Sequence, residues 1–106
     1  MTEQAYLVLL ALTDRPRHGY AIVQEVLALS GGDVRLGAGT LYGLLDRLGS
    51  AGLIEDAGEE VVDGRLRRYY RQTPQGGAAA ASETARLAAL TRRARRVLGG
   101  PALGEA

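Results

Sequence analysis

The sequence predicts a mainly helical chain: a winged helix-turn-helix of three helices and a β-hairpin wing, with an added C-terminal helix. Three observations carry this reading. Three stretches ahead of residue 55 space their apolar residues at helical intervals. Asp63-Gly64, a dipeptide suited to the positive backbone angles of a two-residue turn, separates two strand-like runs. Thr73-Pro74 then supplies a capping residue followed by proline at the first helical position, and a long helical segment follows.

The first helix spans about Gln4 to Thr13, is apolar on most sides and stops at the cluster Thr13-Asp14-Arg15-Pro16, where proline disfavours helix in the residue before it. The second follows His18, with Ile22, Val23, Val26 and Leu27 on one face above Gly19, and ends near Ser30-Gly31-Gly32. Val34-Arg35-Leu36 alternates between glycines and reads as a small strand. In GTLYGLLDRLGSAGLI, Gly39 to Ile54, Leu41, Leu44, Leu45 and Leu48 form the buried stripe of a third helix. Gly43 and Gly49 each cost roughly 1 kcal/mol relative to alanine there, so tertiary packing must offset them. Ala51-Gly52 ends that helix through a left-handed cap.

Leu53 to Val62 and Arg65 to Gln72 form the hairpin. A regular ladder from its turn pairs Val62 with Arg65, Val61 with Leu66, Glu60 with Arg67, Glu59 with Arg68 and Asp56 with Arg71. Tyr69 and Tyr70 then point to opposite faces, one of them toward the helical core. The terminal helix runs from Pro74 to about Leu98. The chain thus divides into a winged-helix unit over 1–73, a C-terminal helix over 74–98 and a flexible tail over 99–106.

At 106 residues the chain is long enough for a single modest core, which places function on a surface or at an interface between copies. Cysteine is absent and His18 is the only histidine, so thiol chemistry, a transition-metal cluster and a catalytic constellation all lack their residues, and no cofactor is expected. His18, at the start of a helix, reads as a capping or packing residue. The longest apolar run, Tyr6 to Leu12, is too short to span a bilayer, and a cytoplasmic protein is expected. All 13 basic residues are arginine. Residues 1–64 hold 4 Arg against 10 acids, and residues 65–106 hold 9 Arg against 2, so a net charge of +1 conceals a polar molecule. Such asymmetry favours a polyanionic partner, although opposite halves can also face each other in the fold.

In this architecture the third helix enters the major groove of double-stranded DNA and the wing lies along the backbone. Winged-helix domains also serve as protein-interaction modules, so binding of an acidic protein partner is the alternative from element order alone. On the DNA reading, Thr40, Tyr42, Gly43 and Arg47 form the groove-facing surface of the third helix, with hydroxyls near its N-terminus for phosphate and Arg47 for phosphate or guanine. Arg65 has no acid opposite it and, with Arg67, is the expected wing contact. Arg68 and Arg71 are expected in cross-strand pairs. In the last helix, Leu87, Leu90, Ala94 and Val97 recur as a seam suited to a partner helix, while Arg92, Arg93, Arg95 and Arg96 read as a solvated face.

These residues also carry a resemblance. YLVLLAL followed by HGYAI, GTLYGLLDRLGSAGLI, and GRLRRYYRQTPQG from Gly64 to Gly76 resemble, in sequence and spacing, the short single-domain members of the PadR family of bacterial transcriptional regulators. The resemblance implies a homodimeric DNA-binding repressor, dimerised through its C-terminal helix and responsive to a small-molecule effector. Two departures stand out. Gly43 occupies the place after the third-helix tyrosine where family members commonly carry proline, and the terminal helix has no aromatic residue with which to stack a flat ligand.

Overall fold

The computed structural model describes residues 1–99; the tail expected beyond residue 99 lies outside them. Its elements are α1 (Glu3–Ala11), β1 (Arg17–His18), α2 (Gly19–Leu29), α3 (Ala38–Ser50), β2 (Ile54–Val62), β3 (Arg65–Gln72) and α4 (Pro74–Val97). The expected winged helix-turn-helix with an added terminal helix is the observed fold. The strands form one antiparallel sheet in the order β1-β3-β2.

Each helix is closed by its own sequence. Thr2 caps α1 by accepting from the Ala5 N–H at 3.1 Å. Both α2 and α3 end in a glycine with positive φ, Gly31 at 64° and Gly52 at 76°, and the residue after each donates back to the helix, Gly32 to the Leu27 carbonyl and Leu53 to the Leu48 carbonyl. Only glycine adopts these angles without strain, which is why the chain can reverse so abruptly there. Arg17 was not singled out by sequence, yet its guanidinium is largely buried. Its Nε donates to the Ala11 carbonyl at 2.8 Å, and Nη2 lies 3.2 Å from Glu25, so it ties the end of α1 to α2.

One core runs through all four helices. Val8, Leu9, Ile22 and Val26 are fully buried, and the leucine stripe of α3 packs with them. Each such side chain contributes about 1.5–3 kcal/mol relative to exposure. The first half of α4 belongs to this core through Ala80. Thr84 gives its hydroxyl proton to the Ala80 carbonyl at 2.8 Å, so Tyr6 of α1 donates to Thr84 Oγ1 at 2.6 Å. Beyond Leu90, α4 is exposed except at Ala94. At about 1.5 Å per residue the helix is about 36 Å long.

The wing and α4 meet at a tight junction. Thr73 Oγ1 donates to the Gly52 carbonyl at 2.6 Å and accepts from the Gly76 N–H at 3.0 Å, while its backbone N–H donates to the Leu53 carbonyl at 3.1 Å. Gly76 packs so closely on Leu53 that an added Cβ would overlap the Leu53 carbonyl oxygen. Gln72 reaches from the same corner to the Leu9 carbonyl at 2.9 Å.

Two expectations are corrected. Val34-Arg35-Leu36 is not a strand: it is an unpaired linker whose alternation reflects Leu36 turned into the core and Val34 packed against it. The third strand is instead the two-residue β1, too short to show a pattern, with Arg17 opposite Tyr70 and His18 opposite Tyr69. The hairpin register holds as expected from Val62–Arg65 to Glu59–Arg68, then slips by one, so that Asp56 faces Tyr70 and Arg71 faces Glu55. The cause is a bulge at Ala57-Gly58: Gly58 has φ of 97° and donates its N–H to Asp56 Oδ1 at 2.8 Å. At the tip, Asp63 and Gly64 both take positive φ, 51° and 76°, as the two-residue turn requires.

Two stability predictions follow from these contacts. Gly76→Ala forces backbone apart at the junction and is expected to destabilise the fold by roughly 3 kcal/mol, lowering the midpoint of thermal unfolding by about 10 °C or more. The second concerns His18, whose Nδ1 caps α2 by accepting the Ala21 N–H at 3.1 Å and therefore must be unprotonated. Burial, reinforced by the Arg67 charge and opposed by Glu60, holds the imidazole below its ordinary value of 6.5. The unfolded chain takes up the proton more readily, so this contribution is complete above about pH 6.5 and declines as the pH falls below it. Urea unfolding should show the wild type losing stability faster than His18→Asn between about pH 6.5 and 5, since asparagine caps without titrating. Parallel profiles would show that the imidazole cap is not the group responsible.

Candidate nucleic-acid interface

The third helix turns its leucine stripe inward, and this places the remaining residues outside. Thr40, Tyr42 and Arg47 are exposed, and Gly43 is half-buried. Gly37 at the N-cap provides no side-chain hydrogen bond, which leaves the first-turn N–H groups of α3 without a capping partner. Tyr42 does not stand free. Its hydroxyl lies over Gly19, 3.0 Å from where a Cβ at that position would be, so the glycine at the start of α2 makes room for the tyrosine. Arg47 folds back along the helix, with Nη1 3.6 Å from where a Cβ at Gly43 would be. The Arg47 guanidinium thus lies along α3 over Gly43, at ordinary contact distance.

On the wing, Arg65 is exposed beside the turn, opposite Val62. Arg68 and Arg71 are engaged as cross-strand pairs: Arg68 lies 3.7 Å from Asp56 and 3.8 Å from Glu59, and Arg71 donates to Glu55 at 2.7 Å. All of these side chains are about half exposed, so the pairs are weak and open to exchange. Arg67 differs from the others. It is half-buried, its Nε is fully buried without a hydrogen-bond partner, and its guanidinium carbon lies 5.8 Å from the centroid of the Tyr20 ring. Together with Tyr20, Tyr42, Gly19 and Ala38 it lines a cleft of about 290 Å³, so the inner part of the wing and the first turns of α2 and α3 form one continuous surface.

The two wing tyrosines divide as their alternation requires. Tyr70 packs against the core, where burial pushes its phenol above the ordinary range despite the opposing charge of Arg68. Tyr69 meets His18 edge-on, with ring centroids 5.4 Å apart. Sequence reading missed Tyr20, which is 60% exposed although it opens a core helix. The available signal was its place on α2, one turn before the polar Gln24 and about half a turn round the helix from the buried Ile22.

On α4, Leu87 and Ala94 are half-buried, whereas Leu90 and Val97 are 47% and 84% exposed. Arg92, Arg93, Arg95 and Arg96 are all exposed. Glu83 is buried and held by both arms of Arg86 at 2.8 Å, which keeps its carboxyl below the usual range. Among the described residues no helix is long and apolar enough to cross a membrane.

Comparison with known proteins agrees with this fold. The model of the transcriptional regulator PadR-like family matches residues 8–82. The chain is 45% identical over 87 residues to the transcriptional regulator Rv3488 of Mycobacterium tuberculosis, a match that spans 82% of this chain and 75% of that protein. It also resembles the crystal structure of a PadR family transcriptional regulator from Eggerthella lenta, at 30% identity and a TM-score of 0.73 over 91% of this chain and 81% of the other. A PadR family regulator from Clostridium difficile R20291 shares the fold, with a TM-score of 0.78 and 22% identity over 92% of this chain and 100% of the other. The family match spans the helices, the wing and the start of α4, and with it the expectation of a regulator rather than an enzyme is met: the chain belongs to the PadR-like family of transcriptional regulators.

Proposed function

We propose that this regulator is a homodimeric repressor that binds a two-fold symmetric operator, with α3 in the major groove and the wing on adjacent phosphates. The observation that carries the reading is the cleft in which Arg67 and Tyr42 lie together, because it makes the inner part of the wing and the first turns of α3 parts of one continuous surface. Thr40, Tyr42 and the uncapped first turn of α3 supply neutral donors to phosphate, Arg47 supplies a charged one or reads guanine, and Arg65 and Arg67 extend the contact along the backbone. Two such surfaces in a dimer would lie about 34 Å apart, one turn of the duplex.

The distal half of α4 supports the dimer. Leu90 and Val97 are exposed on a helix that leaves the body of its own chain, with Leu87 and Ala94 completing the seam. A cleft of about 380 Å³ between α1, the end of α2 and α4, where Tyr6, Leu29 and Leu87 stand beside Glu3, Asp33 and Arg86, is the seat we assign to a small-molecule effector. Its aromatic wall comes from Tyr6, since α4 has none.

Selection of bound sequences from a random duplex pool should return paired half-sites one helical turn apart; a pool that shows no enrichment would favour the protein-interaction alternative. Arg65→Ala combined with Arg67→Ala is expected to lower the slope of log affinity against log salt by about 0.9 per lost phosphate contact, with dimerisation unchanged. An unaltered slope would remove the wing from the interface. Leu90→Glu should sediment as a monomer and bind operator DNA poorly, whereas an intact dimer would place the interface elsewhere.

A further inference from the structure

Arg67 is the one wing arginine that refuses the ion pair its register offers. Glu60 lies directly across the ladder from it, yet the carboxylate pairs of the hairpin belong to Arg68 and Arg71. Its Nε is buried with no partner, an arrangement that costs free energy unless something else holds the group. What lies beneath the guanidinium is the ring of Tyr20, with 5.8 Å between its carbon and the ring centroid. The negative face of an aromatic ring attracts a guanidinium without neutralising it. Tyr20 itself is 60% exposed and is not part of the buried core, so core packing does not account for a tyrosine there.

We propose that Tyr20 is a positioning residue for DNA binding: it draws Arg67 away from Glu60 and holds it, still carrying its full charge, at the junction between the wing and the first turn of α3. A carboxylate partner would cancel the charge that a phosphate needs, and a free arginine would lose conformational freedom on binding. The ring avoids both penalties. The cleft shared by Gly19, Tyr20, Ala38, Tyr42 and Arg67 fixes where the charge is delivered, beside the N-terminal end of α3 rather than at the wing tip. The proposal rests on the reading of this surface as the DNA interface and adds a residue to it from α2.

The test is a double-mutant cycle on the full-length protein, measuring affinity for a random-sequence duplex and for the selected operator duplex across a salt series. Tyr20→Ala and Arg67→Ala should each weaken binding about fivefold at physiological salt and lower the salt slope by about 0.9, and the double variant should be no worse than either single one. Tyr20→Phe should behave as wild type, because the ring and not the hydroxyl is invoked, and Tyr20→Leu should behave as Tyr20→Ala, which separates the ring face from simple bulk. A general structural role for Tyr20 would change the melting temperature and leave the slope alone. The proposal is overturned if the Tyr20→Ala slope equals that of the wild type, or if the two losses add. Arg65→Ala serves as the reference: if it lowers the slope while Tyr20→Ala does not, only the positioning role fails, and if neither it nor Arg67→Ala alters the slope, the DNA reading of the wing fails with it.

Discussion

The close approach of α4 to the chain at Leu53 is the constraint on which the molecule depends. Gly52 ends α3, Thr73 ends the wing, and Gly76 opens α4, and all three meet within one small network of backbone and hydroxyl hydrogen bonds. The absence of a side chain at Gly76 brings the first turn of α4 directly onto the Leu53 carbonyl. Both feet of the wing are held there by covalent continuity and three hydrogen bonds, and the pairing of β3 with β1 and the packing of Tyr70 on the core fix its direction further along. The same junction sets the direction in which α4 departs, and so links the placement of the wing to that of the exposed Leu90 and Val97 on α4.

Charge is distributed to suit this frame. The acidic first part of the chain and the basic second part do face each other in places: Glu55, Asp56 and Glu59 engage Arg71 and Arg68 across the hairpin. Asp14 and Glu25 gather around Arg17, which lies within the acidic part itself. Four arginines on the far half of α4 remain exposed, as does Arg65 at the wing tip. Composition alone therefore overstates how much positive charge the wing presents. The folded arrangement narrows it to Arg65 and Arg67, with Arg68 and Arg71 in reserve.

Most of the fold was legible because its signals are local. Leucine spacing in α3, the Asp63-Gly64 turn, and Thr73-Pro74 each act within a few residues, and each element formed where they indicated. What escaped was long-range or compensatory. The two-residue β1 is a strand only because β3 comes alongside, and the alternation at Val34 and Leu36 served the core instead of a ladder. The bulge at Gly58 moved Arg71 from Asp56 to Glu55; a lone glycine in a strand announces such an irregularity without giving its register. Of the surface residues, Thr40, Tyr42 and Arg47 were readable from helical geometry. Tyr20 was not, since its partner lies 47 positions away in sequence on another element.

The bulge also bears on how this wing can vary among related chains. Between the junction and Gly58 the hairpin is fastened to β1 and the core; beyond it, the strands pair with one another and rest on α2 through Arg67 and Tyr20. Adding or removing two residues from each strand there preserves which side chains share a face, while changing the distance to the tip by about 7 Å. A change of one residue per strand exchanges the faces and would carry the arginine at the tip to the wrong side. The reach of the wing is thus a quantity that evolution can alter only in discrete increments, leaving the helices behind it untouched.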